Sequence, residues 1–281
     1  MNLYPISAGN FKLDGGAMFG VVPKRLWQRT NPADSDNLID IAARCLLVED
    51  GDRLVLIDTG MGDKQSEKFF SYYKPWGDDN LLASINRAGF SVEDITDVFL
   101  THLHFDHCGG CVKRNGDNYA LVFPNAKIWS NHAHWKWATQ PNVREKASFL
   151  TENLLPIEQS GHLHFVDHAT GIGSTPLGFD VLFVDGHTEK QMIPIIPYKG
   201  ETLVFMADLV PTAGHIPVPY VMGYDTRPLL SMEEKAHFLQ QAADKDFLLF
   251  LEHDAHNPLV RVQHTEKGVR LKSKHTLESY F

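Results

Sequence analysis

His102, His104, Asp106 and His107 supply three imidazoles and a carboxylate within six residues, in the pattern H-x-H-x-D-H. Imidazole nitrogen and carboxylate oxygen are ligands for zinc-like divalent ions. Val98-Phe99-Leu100 before the motif has the apolar character of a buried strand, and Gly109-Gly110 after it marks a turn. Side chains alternate along a straight strand, so a strand would turn His107 away from the other three. The motif must therefore leave its strand at once and bend, so that all four groups face one volume. Single ligand-type residues also follow three other apolar strands: His187 after Val181–Val184, Asp208 after Thr202–Met206, and His253 after Phe247–Leu251. Strands placed side by side would bring these ends to one edge. Seven candidates exceed the three or four ligands that one zinc takes, which points to two metals sharing a bridge. Asp58 ends a further strand, Leu54–Ile57, with no ligand-type neighbour. Its expected task is to orient a ligating imidazole through that ring's other N–H.

Three look-alikes carry weaker signals. His162-Leu-His-Phe-Val-Asp-His168 nearly copies the motif, but one inserted residue shifts the carboxylate and the last imidazole. It reads as an ordinary strand with His162 and His164 on one face. Cys108-Gly-Gly-Cys111 lacks the second pair that a structural zinc site needs, and reads as small residues packed beneath the motif. His132 and His134 lie on a helix capped by Asn131; two residues apart, they do not share a face, and both are expected at the surface.

The elements that must hold these groups alternate between strands and helices. Strands are expected at Ile41–Val48 and Leu54–Ile57 around a hairpin at Glu49-Asp-Gly-Asp52, at 97–100, Lys127–Ser130, Val181–Val184, Ile193–Tyr198, Thr202–Met206 and Phe247–Leu251. Helices are expected over 64–74, 79–88, 131–139, 143–159 and 231–243. Ser91-Val-Glu-Asp94 resembles a capping box. Asp14–Lys24, with three glycines and Pro23, reads as a mobile loop whose Met18 and Phe19 could line an apolar substrate pocket. Two similar halves of strands with outer helices make one domain over residues 1–281.

The chain has 281 residues, 43% of them hydrophobic, enough for a large core. A formal net charge of -9 gives no electrostatic reason to expect a nucleic-acid partner. The 3 cysteines argue against a disulfide framework and suit a reducing compartment. Met1–Asn10 has no basic start or long apolar run, and no stretch approaches the ~20 apolar residues of a membrane span. The expectation is a cytoplasmic protein without a membrane partner, with a homodimer an open option.

The motif, the upstream Asp58-Thr-Gly60, Gly186-His-Thr188, the lone Asp208 and the late His253 resemble the metallo-β-lactamase superfamily over nearly the whole chain. That resemblance implies an α/β fold of the αββα sandwich type. It implies that His102, His104 and His187 hold one divalent ion, that Asp106, His107 and His253 hold another, and that Asp208 bridges. Zinc is the default, with manganese, cobalt and iron also suited to nitrogen and oxygen ligands. Within the superfamily, Thr101–His107, Asp14–Lys24, Phe123-Pro-Asn-Ala-Lys127, Asp208-Leu-Val-Pro-Thr212 and His215-Ile216 resemble the N-acyl-homoserine lactone lactonases, the quorum-quenching branch. The implied reaction is metal-dependent hydrolytic opening of a lactone carrying an apolar chain, with Asp106 or water passing a proton to the leaving oxygen and Met18, Phe19 and Phe105 against the chain. Two positions depart from the best-known lactonases. Gln191 stands where they have a second histidine, and Pro211 where they have a substrate-facing tyrosine. His215 is the candidate replacement in catalysis and substrate binding, with Tyr220 and Tyr224 as alternatives. A phosphotriesterase or other ester hydrolase would use the same site. A β-lactamase is disfavoured because Asp208 stands where the enzymes with the closest motif have Cys. A nuclease is disfavoured by the acidic charge, and a flavodiiron protein by the missing flavin domain. A metal-binding module without turnover is the non-enzymatic alternative.

Overall fold

Leu54, Val55, Leu56 and Ile57 are all buried, so this run is covered on both faces and belongs to the interior of a sheet. A computed structural model describes residues 1–167 and 171–281. The strands are β1 (Asn2–Asp14), β2 (Leu38–Asp50), β3 (Arg53–Ile57), β4 (Asp97–Phe99), β5 (Val112–Asn115), β6 (Asn118–Leu121), β7 (Lys127–Ser130), β8 (Leu163–Phe165), β9 (Ile172–Ser174), β10 (Asp180–Val184), β11 (Gln191–Tyr198), β12 (Glu201–Phe205), β13 (Leu248–Phe250), β14 (Leu259–Thr265) and β15 (Gly268–His275). The helices are α1 (Gly15–Phe19), α2 (Lys24–Trp27), α3 (Glu67–Tyr73), α4 (Leu81–Arg87), α5 (Phe105–Cys108), α6 (His132–Thr139), α7 (Thr151–Gln159) and α8 (Pro228–Asp244). One sheet has six strands in the order β1-β2-β3-β4-β7-β8 and the other has seven, β15-β14-β13-β12-β11-β10-β9.

The two sheets pack face to face. Leu46, Val48, Val55, Ile57 and Phe99 from the first share a core with Val181, Ile193, Leu203, Phe205 and Phe250 from the second. Helix α8 covers the outside of the second sheet at β14, and α4 packs against β1. Leu81 and Ile85 of α4 and Leu154 and Ile157 of α7 join the core on the outer face of the first sheet. The result is the expected four-layer αββα arrangement. β3, β4 and β7 run parallel, as do β12 and β13. Such parallel neighbours present their C-terminal ends along one edge, where loops can build a site. Among the described residues, no helix is long and apolar enough to cross a membrane.

Two local expectations change, and the look-alike segment forms the strand expected of it. Asp14–Lys24 is not an irregular loop: Asp14 caps α1 by accepting from the Ala17 N–H at 2.8 Å, and α2 follows. Met18 and Phe19 are consequently buried. The helix expected over 143–159 begins only at Thr151, because Asn142 Oδ1 accepts from the backbone N–H groups of Arg144 and Glu145 and folds the segment into turns. In the look-alike segment, Leu163–Phe165 pairs with β7, and His162 Nδ1 bonds to Ala126 O at 2.8 Å. His168 of that segment lies outside the described residues.

Candidate metal centre

Each candidate ligand lies just beyond a strand end. β4 runs out at Phe99, and His104 then caps α5, so the chain bends within the motif. Gly109 and Gly110, directly after α5, let the end of the motif pack against the 59–61 segment. A β-carbon on Gly109 would collide with the Met61 backbone, and one on Gly110 with the Thr59 carbonyl. Thr59 N and Thr59 Oγ1 both donate to His107 O, at 2.7 and 2.8 Å, tying the bend to the end of β3.

His102, His104, His187 and Asp208 form one buried group of donors, and Asp106, His107 and His253 form another. In the first, His104 Nδ1 lies 3.1 Å from both His102 Nε2 and His187 Nε2. In the second, His253 Nε2 and His107 Nε2 are also 3.1 Å apart. Asp208 reaches both groups, with Oδ2 3.0 Å from His187 Nε2 and Oδ1 3.1 Å from His253 Nε2.

The outward nitrogen of every ring faces an acceptor. His187 Nδ1 donates to Asp225 Oδ1 at 2.9 Å, and His253 Nδ1 to Ala42 O at 2.8 Å. His107 Nδ1 faces Asp58 Oδ2 at 3.0 Å and Glu252 Oε2 at 3.2 Å. His104 Nε2 faces Glu145 Oε1 at 3.4 Å. Thr101 Oγ1 donates to Asp58 at 2.7 Å, and so accepts from His102 Nδ1 at 3.1 Å. With one N–H of each ring directed outward, the five inward nitrogens converge on the centre as possible ligands for cations. Zinc bonds to imidazole of about 2.0–2.1 Å place two tetrahedral ligand nitrogens roughly 3.3 Å apart, close to the spacing seen. The donor set therefore fits divalent metal, with Asp58, Asp225, Glu145, Thr101 and the Ala42 carbonyl positioned to fix the rings.

Without metal, the charges at the centre are displaced from their ordinary values. Burial opposes charge on His187 and His253, but Asp208 overrides it and holds the rings up to about 10 and about 9. Burial also works against the Asp208 carboxylate, and His187, His253 and His107 pull it well below the usual range. Burial lowers His104 and, together with the neighbouring imidazoles, takes His102 well down.

A cavity of about 350 Å³ opens onto this centre, with Leu13, Met18, Phe105, Met222 and Tyr224 among its walls and His104, Asp106, His187, Asp208 and His253 on its floor. Of the residues singled out for substrate, Met18, Phe105 and Tyr224 reach the cavity. Phe19, His215 and Tyr220 stand behind it. Phe19 stacks between Trp27 and His215, with centroids 5.3 and 4.2 Å away, and Tyr220 meets it edge-on. His215 Nε2 donates to Met18 O and its Nδ1 accepts from Thr212 Oγ1, both at 2.8 Å. Burial drives this imidazole down to about 3. Its nitrogens are committed to holding the cavity wall, which takes it out of reach of a reacting atom.

Four contributors carried no sequence signal as site residues. Asp225 and Glu145 sit in turns, remote in sequence from the rings they hold. Tyr73, at the end of α3, lines the cavity. His134 is fully buried, against the expectation of a surface position: its Nε2 accepts from Leu103 N at 2.9 Å and its Nδ1 donates to Glu189 O. It braces the motif from behind, whereas His132 on the same helix is exposed.

Comparison with known proteins agrees with this architecture. The chain is 27% identical over 180 residues to an N-acyl homoserine lactonase of Bacillus cereus, a match covering 60% of this chain and 64% of that protein. The match thus spans less than two thirds of that relative. Among solved structures, a probable metal-dependent hydrolase from Staphylococcus aureus superposes with a TM-score of 0.83 at 27% identity, covering 98% of each chain. AidC, a dizinc quorum-quenching lactonase solved with its product N-hexanoyl-L-homoserine, gives 0.79 at 25% identity, covering 98% of this chain and 95% of that one. The profile of the metallo-beta-lactamase superfamily matches residues 40–253, which include every candidate ligand from His102 to His253, and the chain belongs to that superfamily.

Proposed function

We propose that the protein is a hydrolase that uses two divalent metal ions to open the ring of N-acyl-homoserine lactones or similar lactones. The observation that carries this reading is the pair of donor groups joined by Asp208 on the floor of an otherwise largely apolar cavity. The lactonase and hydrolase relatives support it. His102, His104 and His187 would hold one ion and Asp106, His107 and His253 the other, with Asp208 between them. When bound, such ions acidify water and polarise a carbonyl. The protein's own contribution is to fix the five rings, to hold an apolar chain against Met18, Phe105 and Met222, and to keep the floor desolvated, where charge interactions are stronger. No side-chain nucleophile is required.

The test is lactone opening by the metal-loaded protein over a series of acyl-chain lengths, with an aryl phosphotriester as comparison under identical loading. Ring opening that improves with chain length supports the proposal. Turnover of the phosphotriester with none of the lactones overturns it.

A further inference from the structure

Breaking a lactone's acyl C–O bond expels an alkoxide, a poor leaving group unless a donor neutralises it. The imidazoles of the centre direct their N–H groups outward, away from the cavity. The hydroxyl-bearing residues among the cavity walls are Tyr73, Ser148 and Tyr224. A serine hydroxyl is a far weaker acid than a phenol. Tyr224 is 38% exposed, on a loop, whereas Tyr73 is held by ring contacts to Phe69 and Phe105 with centroids 4.8 and 4.9 Å away. The Tyr73 phenol makes no hydrogen bond to another described group, and it shares the cavity wall with Asp106. A donor on the cavity wall with no hydrogen bond to give up costs little rearrangement when charge develops.

We propose that Tyr73, in place of the Asp106 or water expected from the resemblance, is the catalytic residue that donates its phenolic proton to the oxygen leaving the acyl carbon. This rests on the lactone-opening reading. Water-derived hydroxide forms a bond to the acyl carbon, and the acyl C–O bond breaks with its electron pair on the departing oxygen. That oxygen takes the Tyr73 proton. The proton released when the attacking water ionised returns to the phenolate through solvent, so the balance is lactone plus water to hydroxy acid.

The test is Tyr73→Phe in the metal-loaded protein, with metal content and melting temperature measured alongside kcat on two substrates of similar acyl part. One is a lactone or alkyl ester, with an alkoxide leaving group; the other is an ester of an acidic phenol, whose leaving group needs no proton. We expect kcat on the alkoxide substrate to fall about 100-fold or more, the range of a general acid, while the aryl ester loses less than about threefold. Metal content should match the wild type. Equal losses on both substrates would show a structural role and overturn the assignment, as would unchanged kcat on both. Failure of the lactone-opening reading is seen separately, in wild-type protein that opens no lactone; the contrast between alkyl and aryl esters then still decides the role of Tyr73.

Discussion

At the residue scale, the centre depends on groups that never touch a metal. Asp225 fixes His187 at 2.9 Å and Asp58 fixes His107 at 3.0 Å. Removing such a partner frees the ring to rotate and lowers its basicity, with a typical loss of about 10–100-fold in metal affinity. Asp225→Ala should weaken binding of one ion by that amount in competition with a chelator, and an unchanged affinity would show that His187 is held by other contacts. His215 leads to a different expectation. Thr212 holds its Nδ1 and its Nε2 donates to Met18 O, so the ring braces Met18 rather than a reacting atom. His215→Ala should therefore raise KM for a long-chain substrate by about tenfold, equivalent to one lost hydrogen bond of about 1.4 kcal/mol, with a smaller effect on kcat. A collapse of kcat at constant KM would return His215 to the chemistry.

At the element scale, much was legible because strand ends announce themselves. The apolar runs before His102, His187, Asp208 and His253 become β4, β10, β12 and β13, or residues flanking them. The supports were not legible. Asp225 lies 38 residues from His187 and Glu145 lies 41 from His104, both in turns without periodicity. The rule that histidines two apart on a helix face different ways held for His132 and His134, but it does not say which face is buried. Glycine content suggested an irregular stretch at 14–24, where the Asp14 cap and Trp27 packing instead produce short helices. The bend after the motif is the sharpest constraint on an element. Gly109→Ala would drive a methyl group into the Met61 backbone and should destabilise the protein by about 1–3 kcal/mol, the usual cost of overpacking. Chemical denaturation reads this directly, and an unchanged midpoint would show that the 59–62 segment yields freely.

At the scale of the whole molecule, two sheets share one core and meet the solvent at an edge dense with charge. In the metal-free protein, His187 and His253 hold protons up to about 10 and about 9, against an ordinary value near 6.5. Their folded values are raised, so the stability they contribute is complete below about 6.5 and is lost as pH rises through about 9 and then about 10. Metal takes the place of those protons, and the stabilisation it gives should grow with pH. The gap in melting temperature between metal-loaded and chelator-treated protein should be wider at about pH 9 than at about pH 6. A gap that narrows with rising pH would contradict this charge distribution.

In the proposed function, Asp208 joins two donor groups into one hydrolytic centre. Metal content per chain is measured together with lactone opening in wild-type protein and in Asp208→Asn. The wild type should carry two ions per chain and open the ring, with metal lost and hydrolysis reduced at least about 100-fold in the variant, as removal of a principal electrostatic group entails. Full activity in Asp208→Asn, or ring opening by wild-type protein stripped of metal, would contradict the proposed function.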